Sequence, residues 1–258
     1  MSLSIIGALI GLVFGGPGGL LLGAAIGYGA SWLLRRSLVG SLQVAQHQLM
    51  ESTFSIMGAL CKTDGVVTRS EINTVEQIFN MLRLRDDQRA HAKSAFNRGK
   101  QPDFDLDNAV DSFAAITRGR RPLLQLFLQL QCMAIIADGE VHLAEHEMLV
   151  RIARRLGFGE HDVRQLEALL RAATSRAAPG GGAQASASRL DDAYEAVGVT
   201  ASATDSEIKR AYRKLISQNH PDKLASRGLP ESMRPVAEER SRELNKAYDL
   251  IKESRGIV

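Results

Sequence analysis

The first 34 residues of the chain carry no charged side chain, and the first cations are Arg35 and Arg36. An uncharged, apolar run longer than about 18 residues is typical of a transmembrane helix. A secretory signal would place cations before its apolar stretch, whereas here they follow it. The sequence therefore predicts a retained single-pass transmembrane anchor over residues 1–36. Because cations favour the inner side of a membrane, we expect the rest of the chain in the cytoplasm.

Glycine recurs at every fourth position of this apolar run, at Gly7, Gly11, Gly15, Gly19, Gly23 and Gly27. Four residues turn a helix by about 400°, so these positions form one slowly drifting stripe without side chains. Such a stripe lets a second helix approach closely in lipid, which predicts a homodimer through the anchor. The alternative is a flexible, glycine-rich tail, which the Gly-Gly-Pro-Gly-Gly stretch at 15–19 favours.

Composition limits the class of the remaining chain. Lys and Arg number 32 against 29 Asp and Glu, a net charge of only +3, which argues against a polybasic nucleic-acid binder. Two cysteines, Cys61 and Cys132, are too few for a disulfide scaffold or a four-thiolate zinc module. From residue 42 to 173 the apolar residues return at spacings of three and four and never alternate, so we predict an all-α protein.

The middle segment, residues 37–173, contains an internal repeat. Asp64-Gly65 with Glu71 matches Asp138-Gly139 with Glu145, 74 residues later. In each copy the Asp-Gly pair is expected to end one helix and the Glu to open the next, which suggests a duplicated helical pair. This segment resembles the TerB-like helical domain of tellurite-resistance proteins, which implies a helical bundle.

The four repeated carboxylates, Asp64, Glu71, Asp138 and Glu145, allow two interpretations. Clustered carboxylates can bind a hard cation, but these lack the dense acidic loop of a calcium-binding EF-hand. Each Asp can equally cap its turn and each Glu the helix that follows. We favour capping and predict no metal and no cofactor. Residues 174–189 then read as a flexible linker, since they contain Pro, three glycines and no apolar side chain larger than Ala.

The C-terminal segment, residues 190–258, contains a strongly patterned basic helix. Thr204 and Glu207 form a capping box that opens it, and Pro221 stops it beyond about Gln218. The apolar face consists of Ile208, Ala211, Tyr212 and Leu215, and the cations are Lys209, Arg210, Arg213 and Lys214. A further helix, about Ala237 to Ser254, is expected to pack back on it, which makes a helical hairpin.

The tripeptide His220-Pro221-Asp222 follows this basic helix immediately. Together the two features resemble the J-domain of DnaJ-type co-chaperones, over essentially all of residues 190–258. The resemblance implies that the domain docks on a DnaK-type chaperone and accelerates its ATP hydrolysis. It also implies the residues that act: His220, Pro221 and Asp222 as the stimulating loop, and Lys209, Arg210, Arg213, Lys214 and Lys223 as the cations that hold the chaperone's acidic surface.

Other uses of the same residues are less well supported by the sequence. If His220 and Asp222 were a general base and its orienting group, a nucleophile would have to accompany them. The sequence offers none, so we predict no enzyme and no catalytic residue. A nucleic-acid partner is not expected either, because residues 189–258 hold 13 cations against 12 anions.

The order of the segments, anchor, TerB-like bundle, linker and J-domain, resembles that of membrane-anchored DnaJ-like co-chaperones of the bacterial inner membrane. The resemblance implies regulation of DnaK at that membrane, with a link to envelope and capsule signalling. A glycine/phenylalanine segment and a cysteine-rich zinc domain are absent from the sequence, so general binding of unfolded clients is not expected. The alternative is a membrane scaffold, or a metal-responsive TerB-like protein, in which the J-domain only recruits.

Overall fold

A computed structural model describes residues 47–63, 65, 67–136, 141–174, 183–226, 229 and 231–256. The chain divides into two compact units, Met1–Leu49 and Met50–Val258, and the second contains nearly all of the described residues. The predicted anchor over residues 1–36 and its glycine stripe lie outside the described residues. Among the helices that the structure does describe, none is long and apolar enough to cross a bilayer.

The regular elements of the described residues are all helices, which confirms the all-α prediction. The first, α1, covers residues 47–61. It is followed by α2 (Arg69–Met81), α3 (Asp86–Gly99), α4 (Leu106–Thr117), α5 (Arg121–Ile135), α6 (Leu143–Arg155), α7 (Glu160–Thr174), α8 (Ala183–Val197), α9 (Asp205–Asn219), α10 (Pro221–Ser226) and α11 (Arg234–Arg255), with a 3₁₀ turn at Glu231–Met233 before α11.

The internal repeat extends further than the sequence suggested. Helix α2 begins at 69 and α6 at 143, while α3 begins at 86 and α7 at 160, so both pairs keep the offset of 74 residues. Helix α1 ends at 61 and α5 at 135, which is again the same offset. The duplicated unit is therefore three helices, α1–α3 and α5–α7, with α4 between them, rather than a helical pair.

Both repeated glutamates cap a helix, as the capping interpretation predicts. The Thr68 N–H donates to Glu71 Oε2 at 2.7 Å, and the His142 N–H donates to Glu145 Oε2 at 3.1 Å. Burial raises the pKa of the Cys61 thiol, and the Glu71 and Glu145 carboxylates raise it further. Asp64 and Asp138 lie outside the described residues. Within the part of the chain that is described, no three His, Cys, Asp or Glu side chains are placed to hold a metal ion.

Helices α1 and α3 cross at two glycines. A Cβ atom added at Gly58 would lie 2.0 Å from the carbonyl oxygen of Phe96, and one at Gly99 would lie 1.8 Å from that of Ser55. Only glycine allows the two backbones this close, since an added methyl group would overlap backbone atoms that cannot rotate away. The crossing brings Phe54 of α1 into an edge-on contact with Phe79 of α2, with ring centroids 5.0 Å apart.

Helix α8 corrects the prediction of a linker over residues 174–189, because residues 183–189 form its first two turns. Alanine has the highest helix propensity and serine tolerates helix, so the absence of large apolar side chains did not mean absence of structure. Residues 175–182 lie outside the described residues.

Helix α8 packs along α7. The two halves of the second unit, α1–α7 and α8–α11, therefore share a core, whereas a flexible linker would have left their orientation unfixed. Leu169 of α7 is 2% exposed and belongs to the same cluster as Tyr194 of α8 and Leu244 of α11. On the polar side, Arg171 Nε donates to Asp192 Oδ1 at 3.0 Å.

A second contact between the halves joins α5 to α11. The Gln129 side-chain N–H donates to Glu243 Oε2 at 2.9 Å, and both side chains are buried. Burial, followed by the nearby Glu239 carboxylate, raises the pKa of Glu243 to about 8. This carboxyl group is therefore mostly protonated at neutral pH, because burial disfavours its charged form.

Candidate functional site

The predicted basic helix is α9, which begins and ends within one residue of the expected bounds. The Glu207 N–H donates to Thr204 Oγ1 at 3.4 Å, and the Thr204 N–H donates to Glu207 Oε2 at 2.8 Å, which is the predicted capping box. These bonds from Thr204 lower the pKa of the Glu207 carboxyl group. Ile208 is fully buried, and Tyr212 and Leu215 pack against the same core, so one face of the helix is fixed inward.

The four predicted cations occupy the outward face of α9. Lys209, Arg210, Arg213 and Lys214 are all exposed. They stand at positions i, i+1, i+4 and i+5, so they form one continuous stripe on the helix surface. No ion pair among the described residues involves them, although α11 beside them carries several. The stripe therefore presents an unneutralised positive surface.

His220-Pro221-Asp222 forms a sharp junction between two helices rather than the expected loop. His220 ends α9 with an extended backbone, at φ −61° and ψ 128°. Pro221 is the first residue of α10, Pro221–Ser226. The sequence explains both facts, because the residue before a proline avoids helical angles while proline itself suits the first position of a helix.

The junction exposes its two polar side chains and buries the proline between them. The His220 and Asp222 side chains are 53% and 72% exposed, whereas Pro221 is buried. The Asp222 N–H donates to His220 Nδ1 at 3.3 Å, which ties the turn locally. Although each makes a local contact, the imidazole and the carboxylate are therefore both exposed to solvent, while the proline fixes the backbone between them.

Two contacts hold this junction, and their partners, Arg234 and Ser217, were not predicted from the sequence. The guanidinium of Arg234, at the start of α11, lies 3.3 Å from Asp222 Oδ1. Lys223 Nζ donates to Ser217 Oγ at 2.5 Å, so the cation at 223 leans back on α9. No local sequence pattern predicts either partner. Arg234 reaches the junction only because the hairpin folds.

Helix α11 sets the position of the basic helix. Tyr212 of α9 stacks on Tyr248 of α11 with ring centroids 3.9 Å apart, and its hydroxyl donates to Asn245 at 2.9 Å. At the other end, Arg255 Nε donates to Tyr194 Oη at 2.6 Å, and its guanidinium also reaches Asp205 at 2.9 Å. Tyr212 is thus a packing residue, as the sequence analysis expected.

Comparison with known proteins assigns both halves. A family model of the tellurite resistance protein TerB matches residues 50–168, and one of the DnaJ domain matches residues 192–256. A co-chaperone protein DjlA from Shewanella oneidensis is 37% identical over 231 residues, which cover 90% of this chain and 86% of that protein. The chain belongs to the DjlA co-chaperone family. Another DjlA, from Vibrio cholerae, is 41% identical over 229 residues, 82% of this chain and 80% of that protein. One from Photobacterium profundum is 37% identical over 98% of both chains.

Membership of the DjlA family confirms the resemblance to DnaJ-like co-chaperones, with the TerB and DnaJ domains in the expected order. A J-domain co-chaperone of this kind regulates a DnaK-type chaperone rather than catalysing a reaction itself. No solved structure matches the chain.

Proposed function

We propose that this DjlA co-chaperone stimulates ATP hydrolysis by a DnaK-type chaperone through α9 and the His220–Asp222 junction. The observation that carries the proposal is the adjacency of two exposed features on one helix. An unneutralised stripe of Lys209, Arg210, Arg213 and Lys214 ends six residues before the exposed His220 and eight before the exposed Asp222.

The two features are suited to different steps of that function. Clustered exposed cations attract an acidic partner over a Debye length of about 8–10 Å and raise the association rate. A rigid, proline-fixed turn instead presents two polar groups in one geometry, which suits a specific contact in the docked complex. We therefore assign docking to the stripe, with Lys223, and stimulation to His220, Pro221 and Asp222.

A steady-state ATPase assay with a cognate DnaK tests the proposal. Residues 37–258 should raise the turnover of the chaperone, and His220→Gln or Asp222→Asn should abolish the increase at every concentration. Arg213→Glu or Lys214→Glu should instead raise the concentration needed for half-maximal stimulation, and added salt should do the same to the unaltered protein.

Arg242→Glu is the matched control for the charge reversals. Arg242 lies on α11, is 63% exposed and pairs only with Glu239 in the described part of the chain. Its reversal should leave the half-maximal concentration unchanged within about twofold. Equal effects of Arg242→Glu and Arg213→Glu would contradict docking through the stripe. Retained stimulation by His220→Gln would contradict the role of the junction and favour a scaffold in which the J-domain only recruits.

We further propose that residues 1–36 anchor the protein in the bacterial inner membrane and pair two copies through the glycine stripe. The uncharged run before Arg35 and Arg36 supports insertion, and the fourfold glycine spacing supports close helix pairing. Anchoring would keep the J-domain, and the chaperone that it engages, at the membrane surface. Dimerisation would place two J-domains side by side.

A further inference from the structure

A cleft of about 570 Å³ lies between the TerB-like half and the J-domain. Helices α5 and α7 form one wall, and α8, α9 and α11 form the other. Its volume falls within the range of about 300–1,000 Å³ that is usual for small-molecule sites, which occur preferentially between domains.

Four apolar side chains contribute to the inner part of the lining. Leu128, Leu166, Val197 and Leu244 line it and are each no more than 5% exposed. These side chains come from four different helices, so no single helix shift closes the space. An apolar body placed here would be removed from water on several sides.

Among the charged side chains of the lining, three are Lys or Arg and one is a carboxylate. Arg121 and Lys214 are exposed lining residues, and Arg240 is partly buried. The carboxylate, Asp162, accepts the Gly159 N–H at 2.8 Å and offsets part of the positive charge. The site therefore favours a negatively charged group and disfavours a positive one.

Arg240 lacks a full countercharge. Its Nε atom is buried and has no hydrogen-bond partner in the described part of the chain. Burial lowers the pKa of its guanidinium, and the nearby Glu243 and Asp162 carboxyl groups offset this effect only in part. A buried cation in this state gains most from an anionic partner, because the penalty of its desolvation is otherwise not offset.

We propose that the cleft binds an amphipathic anion, a molecule with one carboxylate group and a short alkyl body. The carboxylate lies against Arg240, with Arg121 and Lys214 nearby, and the alkyl body lies against the leucines and Val197. An arginine fork binds a carboxylate with two parallel hydrogen bonds, which orients the ligand as well as attracting it. The proposal does not depend on chaperone stimulation.

Titration of octanoate into isotopically labelled residues 50–258, followed by NMR, tests the proposal. This segment is a compact unit with its own buried core, so it is used without the N-terminal unit. Octanoate should shift amide signals around Leu166, Val197 and Leu215 in a saturable way, with one molecule bound per chain. Octanamide, which has the same body without the charge, should bind at least tenfold more weakly, and acetate should cause no saturable shift.

Two variants and a control locate the charge contact. Arg240→Met should raise the dissociation constant at least tenfold, whereas Arg242→Met, on the outer side of the same helix, should leave it within twofold. If Arg240→Met disturbs the fold, Arg121→Met decides, because Arg121 is exposed and its loss leaves the core intact. The proposal is wrong if no saturable shifts appear at the cleft, if octanamide binds as tightly as octanoate, or if both arginine variants retain the affinity of the unaltered segment.

Discussion

We predict that Glu243 makes the stability of this protein fall as pH rises and that Glu243→Gln removes that dependence. The carboxyl group is buried, accepts a hydrogen bond from Gln129 and has its pKa raised from 4.5 to about 8. Glutamine has nearly the same shape and cannot ionise, and its carbonyl oxygen can accept the same bond. The charged side chains that act on Glu243 are Glu239, which raises its pKa, and Arg240, Lys246 and Arg242, which lower it.

The sign and size of the effect follow from proton linkage. A raised carboxyl pKa means that the folded state keeps a proton which the unfolded state releases, so stability is full below pH 4.5 and is lost as pH rises towards 8. Within that window a single group changes the free energy of unfolding by about 1.4 kcal/mol per pH unit. Over the whole window, Glu243 accounts for a loss on the order of 4 kcal/mol.

Urea unfolding of residues 50–258 at pH 5, 6.5 and 8 measures this effect. The stability of the Glu243→Gln variant relative to the unaltered segment should rise by about 1.4 kcal/mol per pH unit, because all other titrating groups cancel in the difference. Glu253→Gln is the control, since Glu253 is exposed on the same helix. The reasoning is wrong if the difference in stability between Glu243→Gln and the unaltered segment stays constant from pH 5 to 8, or if Glu243→Gln is the less stable of the two at pH 8.

Three further predictions address other parts of the chain. Glu71→Ala removes a helix cap and should lower the free energy of unfolding by about 0.5–2 kcal/mol in urea titrations. Calcium should not change the melting temperature of the unaltered protein. A saturable rise in melting temperature with calcium, absent from the variant, would instead favour the metal interpretation. Gly58→Ala should cost about 1–3 kcal/mol by the same assay, despite the better helix propensity of alanine, because the added methyl group meets the Phe96 backbone. Replacing Gly15, Gly19 and Gly23 with Leu should preserve membrane insertion but reduce dimer crosslinking, and undiminished crosslinking would show that the stripe is not the interface.

The sequence predicted those features that depend on neighbouring residues. Glu71 marked the start of α2, the capping box at Thr204 the start of α9 and Pro221 its end, because each acts within four residues along the chain. The outward position of the cations followed from the inward position of Ile208, since a helix has a fixed period. The DnaJ resemblance rested on the same local patterns, and membership of the DjlA family confirmed it.

The features that the sequence did not predict depend on residues far apart in the chain. Gln129 and Glu243 are 114 positions apart, and Asp222 and Arg234 meet only because the hairpin closes. The start of α8 was missed for a different reason. Its first residues are small and polar, which resembles a linker in composition, and its helical state draws on alanine propensity and on the packing of its later turns against α7.

The packing of the two halves explains how the TerB-like half can hold the J-domain while the cationic stripe of α9 remains accessible to a chaperone. Helix α7 covers α8, and α5 and α7 contact α11, whereas α9 packs on α8 and α11. The surfaces that the TerB-like half covers are therefore the apolar and neutralised ones around Leu169 and Glu243. The cationic stripe of α9 stays exposed, including Lys214 at the cleft between the halves, and burying it would carry a large desolvation penalty. Docking of an acidic chaperone surface on the stripe thus requires no separation of the halves, so a covalent link between α7 and α8 should leave the stimulation of DnaK unchanged.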